Sequence, residues 1–224
     1  MKKAGTCDLN TCFLCQYSIP EWIAAVSDHR QHLFYKKNET IFQEGSPVKG
    51  IFFLYDGKVK VHKQWGTEKE LIVRFAQKGD ILGHRGLGSG DRLYTVSATA
   101  LEDTTVCYTE LSFFEASLKV NPSLALKLMQ FYADELQEAE RKMRNLVHMD
   151  VKGRLADALL ELSRLHKAPH FTISRQDLAA FAGTTYETIY RNLQEFIAEK
   201  LITAEGRAIT ILNEKKLRRY IVGG

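Results

Sequence analysis

The sequence predicts an α+β protein of three parts: an N-terminal β-roll, one long helix built to pair with a second copy, and a C-terminal winged helix-turn-helix. Three observations predict it. Between Leu33 and Tyr108, short runs rich in β-branched and aromatic residues are joined by Gly45, Gly57, Gly66, Gly79, Gly83 and Gly86, the pattern of a sandwich or roll. From Pro122 to about Val147, apolar side chains recur at alternating steps of three and four, a seam along one helix face. From Ile173 to Leu201, two amphipathic helical segments meet at a tight turn. On this reading residues 1–20 are a cysteine-rich segment, 21–121 the roll, 122–149 the dimerisation helix and 150–224 the winged helix-turn-helix.

In chain order, Pro20 to His32 reads as a helix with Trp22, Ile23 and Val26 inward. Strands are expected at Phe34–Lys37, Thr40–Gln43, Ile51–Tyr55, Lys58–Lys63, Glu70–Phe75, Tyr94–Ala100 and Thr105–Tyr108. The long helix carries Met129, Tyr132, Leu136, Ala139, Met143 and Leu146 as its seam, and the economical partner for such a seam is the same helix in a second copy. Asp150-Val151-Lys152-Gly153 is read as a short break, followed by an amphipathic helix over Gly153–His166. Beyond the helix-turn-helix, Leu201–Thr203 and Ala208–Leu212 flank Glu205-Gly206-Arg207 as a hairpin wing, and the end is basic (Lys215, Lys216, Arg218, Arg219).

Composition bounds the function. At 224 residues and 45% hydrophobic, the chain can bury two cores. It has no apolar run of roughly 18 residues and no apolar leader, so the expectation is a cytoplasmic protein with no membrane partner. A phosphate loop, GxGxxG and HExxH are all absent, and the expectation is that it is not an enzyme. Acidic and basic side chains balance over residues 1–150, so the net charge of +4 lies wholly in residues 151–224. A basic third that contains a helix-turn-helix favours a polyanion partner.

Within that third, Ser174 is a candidate N-cap with Asp177 three residues on, and Gly183 stands where a left-handed helix end is wanted. Thr184 or Thr185 can cap the second helix. Ile189, Leu193, Phe196 and Ile197 face inward, leaving Tyr186, Glu187, Tyr190, Arg191 and Gln194 outward. A Glu and an Arg four residues apart share one helix face. Arg can donate two bonds to guanine and Glu can accept from cytosine, although the two can equally pair with each other.

The order of roll, seam helix, hinge, helix-turn-helix and wing resembles the CRP/FNR family of bacterial transcription regulators over nearly the whole chain. The resemblance rests on Gly-Asp-Ile-Leu-Gly (79–83), Asp150-Val151-Lys152-Gly153-Arg154-Leu155, Arg175-Gln176-Asp177-Leu178-Ala179 and Tyr186-Glu187-Thr188-Ile189-Tyr190-Arg191. It implies a roll of the cyclic-nucleotide-binding-like jelly-roll type. It also implies a homodimer that binds inverted repeats in double-stranded DNA and works with RNA polymerase. Glu187 and Arg191 match the family's base-reading pair. Tyr186 and Tyr190 share the reading face but depart from the small or basic residues usual there. Arg175, Thr185, Thr188, Gly206 and Arg207 match places that meet phosphates, which position a protein without reading sequence.

In the CRP branch the roll binds a cyclic nucleotide. Here the pocket positions are Gly83, His84, Arg85, Tyr94 and Thr95. His84 replaces a Glu, Tyr94 and Thr95 replace an Arg-Ser pair, and Ala139 and Glu140 replace a polar pair on the long helix, so cyclic AMP is not expected. The FNR branch fits better, since it senses through an iron–sulfur cluster on N-terminal cysteines and one in the roll. This chain has Cys7, Cys12 and Cys15, and Cys107 follows Thr-Thr-Val. The spacing C-x4-C-x2-C with a distant fourth Cys matches a plant-type ferredoxin, not FNR. The residues alone leave three readings open: an iron–sulfur cluster, a tetrahedral zinc, or thiols without a metal. The corresponding alternatives in function are a redox-responsive regulator and one controlled by another small ligand in the roll.

Overall fold

Period-two burial builds the first half and helical burial the second. The computed structural model describes residues 9–66, 69–88 and 90–222. In chain order the first half comprises α1 (Phe13–Gln16), α2 (Ile23–His29), β1 (Arg30–Tyr35), β2 (Thr40–Phe42), β3 (Gly50–Asp56), β4 (Lys58–Trp65), β5 (Lys69–Gln77), β6 (Ile81–Leu82), β7 (Ser97–Ala100), β8 (Thr104–Glu110) and α3 (Leu111–Val120). The second comprises α4 (Pro122–His148), α5 (Val151–His166), β9 (His170–Thr172), α6 (Arg175–Ala182), α7 (Tyr186–Ala198), β10 (Ile202–Glu205), β11 (Ala208–Ile211) and α8 (Glu214–Val222). Contacts divide the chain into two compact units, Met1–Lys63 with Arg74–Glu135, and Gln64–Val73 with Leu136–Gly224.

The roll consists of two four-stranded sheets in the orders β1-β8-β3-β6 and β2-β7-β4-β5. Successive residues of β3 face opposite ways. Phe52 packs between the sheets, its ring centroid 5.5 Å from that of Phe42 on β2. Ile51 and Phe53 face the other way, into a cluster with Phe13, Leu14, Val26, Phe114 and Leu124. Cys107 lies opposite Phe53 and His32 in register, so strand pairing alone puts its thiol on the helix-covered face.

In the second unit α5 buries Leu155, Leu159 and Leu162, and β10, β11 and β9 form a three-stranded sheet in which β11 is central. Arg141 and Lys142 of α4 tie that helix to α5. Arg141 Nη1 lies 2.5 Å from Asp157 Oδ2, Lys142 Nζ lies 3.2 Å from Glu161 Oε1, and Lys142 also sits 4.4 Å above the Phe181 ring of α6.

Several sequence expectations need correction. The helix expected to reach His32 ends at His29, because Arg30–Tyr35 pair with β8. The strand expected from Tyr94 begins at Ser97. The break at Asp150–Gly153 is shorter than expected: α5 starts at Val151, and Asp150 caps it by accepting from Gly153 N at 2.7 Å. The seam also differs. Met129, Leu136 and Met143 are well exposed on α4, as a partner-facing stripe needs. Tyr132, however, donates its hydroxyl to His84 O of the chain's own roll, and a Leu146 methyl lies against Gly183. Ala139 and Leu146 are nonetheless exposed, as are Ala133 and Val147, so the exposed stripe runs through Leu126, Met129, Ala133, Leu136, Ala139, Met143, Leu146 and Val147, and of the expected seam residues Tyr132 is the one turned to the roll. Helices α1, α3 and α8 and strands β6 and β9 were not expected. No helix among the described residues is long and apolar enough to cross a membrane.

Candidate nucleic-acid interface and thiol pocket

Local chemistry fixes the helix-turn-helix. Ser174 accepts from Asp177 N at 2.9 Å and donates to the Asp177 carboxylate at 2.6 Å, so α6 begins where its first orphan amide finds a partner. Gly183 ends α6 with φ 65°, and a Cβ there would meet Leu146 Cδ2 at 2.5 Å. Thr185, not Thr184, caps α7 by accepting from Thr188 N at 3.3 Å. Ile189, Leu193 and Phe196 are buried, and Asn192 is buried with its amide donating to Thr188 O at 2.7 Å.

That packing leaves Thr185, Tyr186, Glu187, Tyr190, Arg191 and Gln194 on one exposed face, with Thr188 half-buried at its edge. Among the described residues no ion pair joins Glu187 to Arg191, so the mutual salt bridge open to them in the sequence is not made. Arg175 is half-buried. Its guanidinium donates to Gly206 O at 2.9 Å, which ties the start of α6 to the wing turn, and burial pulls its pKa below the ordinary value. Gly206 takes φ 55°, and both it and Arg207 are exposed at the tip.

The roll positions behave differently. Gly83 adopts φ 84°, the left-handed conformation that a corner of this kind requires of a glycine. His84 is buried and its Nε2 lies 3.1 Å from Glu135 Oε2. Arg85 Nε reaches the same oxygen at 3.0 Å, and Arg74 Nε lies 2.9 Å from Glu135 Oε1. Burial opposes the Glu135 charge, but the His84 hydrogen bond and the charges around it hold its pKa down to about 2. Burial pushes the His84 imidazole below its ordinary value. Tyr94 is buried, stacks on Phe42 at 4.3 Å and donates to Gly50 O at 2.8 Å, while Thr95 is exposed. His84 and Arg85 are thus engaged with Glu135, and Tyr94 with Phe42 and Gly50 O. Sequence reasoning missed Glu135 because it lies far along the chain.

A third group gathers at the N-terminus. Cys12, Cys15 and Cys107 line one small cavity, whose wall also includes Arg30, Phe53 and Lys78. Cys15 and Cys107 are buried. A hydrogen bond from the Cys15 thiol outweighs burial and brings the Cys12 thiol down to about 7. Cys7 lies outside the described residues. Among the described residues, no three His, Cys, Asp or Glu side chains are disposed to hold a metal ion.

A β-roll, a long helix with an exposed apolar stripe, and a winged helix-turn-helix with an open polar face define a DNA-binding transcription regulator. Comparison with known proteins agrees. The cyclic nucleotide-binding domain family matches residues 32–121, and the Crp-like helix-turn-helix domain family matches residues 153–220. The chain is 27% identical to the cAMP-activated global transcriptional regulator CRP of Pasteurella multocida, over 79% of this chain and 88% of that protein. It is 28% identical to the transcriptional activator protein anr of Pseudomonas aeruginosa, over 81% of this chain and 77% of that protein. The solved structure of FixK2 from Bradyrhizobium japonicum superposes with a TM-score of 0.76 at 28% identity, covering 85% of this chain and 96% of that one. The chain belongs to the CRP/FNR family of transcription regulators.

Proposed function

We propose that two copies of the chain pair through α4 and bind inverted-repeat promoter sites, with one α7 in the major groove of each half-site and RNA polymerase as a further partner at the same promoters. The observation that carries this is the reading face of α7, where Glu187 and Arg191 are exposed with no ion pair between them. Glu187 and Arg191 read a G·C step; Arg207, Gly206, Thr185 and Thr188 meet phosphates; Arg175 holds the wing in place and adds charge beside it. A two-fold dimer presents two such helices, so half-sites are centred about one helical turn apart. Leu126, Met129, Leu136 and Met143, exposed along α4, support pairing with a second copy, since large apolar side chains in such a row are otherwise left in water.

The input on this reading is an iron–sulfur cluster held by Cys12, Cys15 and Cys107 with Cys7, which places the chain nearer the FNR branch. The chemistry of the donors supports it, although the three thiols are not disposed around one metal ion: three soft sulfurs line one cavity, and the Cys12 thiol is shifted towards the thiolate that ligates metal. Arg30 and Lys78 in the same wall offset the thiolate charge. A bound cluster supplies a group whose charge changes with oxidation.

Two experiments test the reading. Protein purified without oxygen should contain iron and sulfide, show a visible band lost in air, and lose specific DNA binding in parallel. A colourless sample whose DNA affinity survives Cys12→Ser and Cys107→Ser would end the cluster proposal, and zinc without sulfide would replace it with a structural metal. Sedimentation should show a dimer at micromolar concentration and a folded monomer for Leu136→Glu, because a charge placed in an apolar interface has no partner. A monomer for the unaltered protein would refute pairing through α4.

A further inference from the structure

The reading face of α7 carries two aromatic rings that the fold does not use. Tyr186 is 47% exposed and Tyr190 is 53% exposed. Among the described residues neither ring stacks on another aromatic side chain and neither hydroxyl is hydrogen-bonded, although the Tyr186 oxygen lies near enough to the Arg175 guanidinium to interact with it electrostatically. An exposed aromatic side chain on a helix gains little from folding, and its ring is apolar over all but one tip. These two alternate with the Glu187–Arg191 pair: each tyrosine immediately precedes one member of it. Tyr186 and Tyr190 are one helical turn apart and therefore form a single column on the surface.

In the major groove, donors and acceptors dominate the base edges, and the one apolar group offered by ordinary DNA is the thymine C5-methyl. A phenol ring beside an Arg that reads guanine meets either that methyl or a less favourable polar edge. One helical turn rises about 5.4 Å, against about 3.4 Å per base pair, so the column reaches bases one or two steps apart. We infer that Tyr186 and Tyr190 are specificity-determining residues that select thymine, through its methyl group, at positions flanking the G·C step. The inference rests on the proposal that α7 reads the major groove.

Deoxyuridine deletes only the methyl group, and so tests this directly. The full-length protein is first used to select its consensus from genomic fragments, and affinities are then measured by fluorescence anisotropy with each flanking thymine replaced in turn by deoxyuridine. Replacement at one or two flanking positions should weaken the wild type about fourfold each, the worth of one buried methyl group. Tyr190→Phe should keep that discrimination. Tyr190→Ala and Tyr186→Ala should bind the thymine site more weakly and each become indifferent to deoxyuridine at its own position. A consensus without flanking thymine, or wild-type indifference to deoxyuridine at every flanking position, overturns the inference. So does a Tyr190→Phe that loses as much as Tyr190→Ala and loses it equally on thymine and deoxyuridine sites, since that assigns the hydroxyl to a sequence-independent contact such as a phosphate. A consensus whose G·C step persists in Arg191→Ala fails at the deeper level and overturns the groove reading along with this one.

Discussion

The roll and the recognition helix treat charged side chains in opposite ways. In the roll, His84, Arg85 and Arg74 all close on Glu135, and the group is largely out of water. On α7, Glu187 and Arg191 are a helical turn apart, exposed, and not joined to each other. Burying a charge is costly unless a partner of opposite sign comes with it, so the roll's cations are structural elements of this chain. A charge left in water on a rigid helix carries no such obligation and is available to a ligand. The two regions occupy the two places where this family meets small molecules and DNA, yet only one has kept its charged groups open.

The largest expected effect tests the closed half of that contrast. Glu135→Leu should destabilise the roll by about 3 kcal/mol, because it removes the anion that Arg85 and Arg74 share and leaves Arg74 only Asp80 as a charged partner. Urea denaturation followed by near-ultraviolet circular dichroism measures it, and a loss under about 1 kcal/mol would show the cations to be adequately solvated without Glu135. The same carboxylate predicts a pH dependence. Its pKa in the folded chain is depressed to about 2 from an ordinary 4.5. Its contribution is therefore fully present above about pH 4.5 and lost as pH falls towards 2, to an extent on the order of 3 kcal/mol. Glu135→Gln should remove that part of the acid transition.

The open half is tested by a smaller effect. Arg191→Ala should cost about 1–3 kcal/mol of DNA affinity and relax preference at a single G·C pair, with no change in thermal stability, since the side chain has no partner to lose among the described residues. Arg175→Ala should do the reverse on both counts. Its bond to Gly206 O holds the wing, so the loss should be similar on every sequence and should come with a small fall in melting temperature. Band-shift titrations on the selected consensus and on its scrambled version separate the two. If Arg191→Ala lowered stability, the side chain would belong with the closed group in the roll.

The same contrast explains what was legible in the sequence. The helix-turn-helix was readable because each boundary is set within a few residues: Ser174 with Asp177, Gly183 at positive φ, Thr185 with Thr188. The short strands of the roll were readable for the same reason, at their glycines. What depended on distant partners was not. Glu135 stands about fifty residues from His84, and nothing near it in sequence marks it as the centre of a cluster. On α4, Met129, Leu136, Ala139, Met143 and Leu146 are exposed as the period predicts, and the exception is Tyr132. Tyr132 looks like a seam residue by period and size, and only the fold directs its hydroxyl to His84 O. Helix α3 was missed because it is short and starts where a strand ends, and α8 because a basic run hides the one fully buried residue that seats it, Leu217. The thiol cavity lay between these cases. The spacing of Cys12 and Cys15 was visible, whereas their meeting with Cys107 depends on the register of β8 against β1 and β3.

The smallest expected effect is none, and it bears on the comparison most directly. Cyclic AMP should bring no heat of binding, no rise in melting temperature and no change in DNA affinity. A cyclic phosphate buried in the roll needs a cation, and a ribose hydroxyl needs an acceptor. At the position of the acceptor stands His84, buried and turned to Glu135. At the position of the cation stands Tyr94, which fills the space between the sheets beside Phe42 and gives its proton to Gly50 O. The neighbouring cation, Arg85, is held by Glu135 through Nε at 3.0 Å and Nη2 at 2.9 Å. A nucleotide could recruit Arg85 only by taking it from that carboxylate, so the energy of the new contact would be offset by the loss of the old one. Titration calorimetry on the unaltered protein decides the point. Micromolar affinity would mean that the closed cluster opens for a ligand, and Glu135→Gln, which weakens the hold on Arg85, should then bind more tightly still.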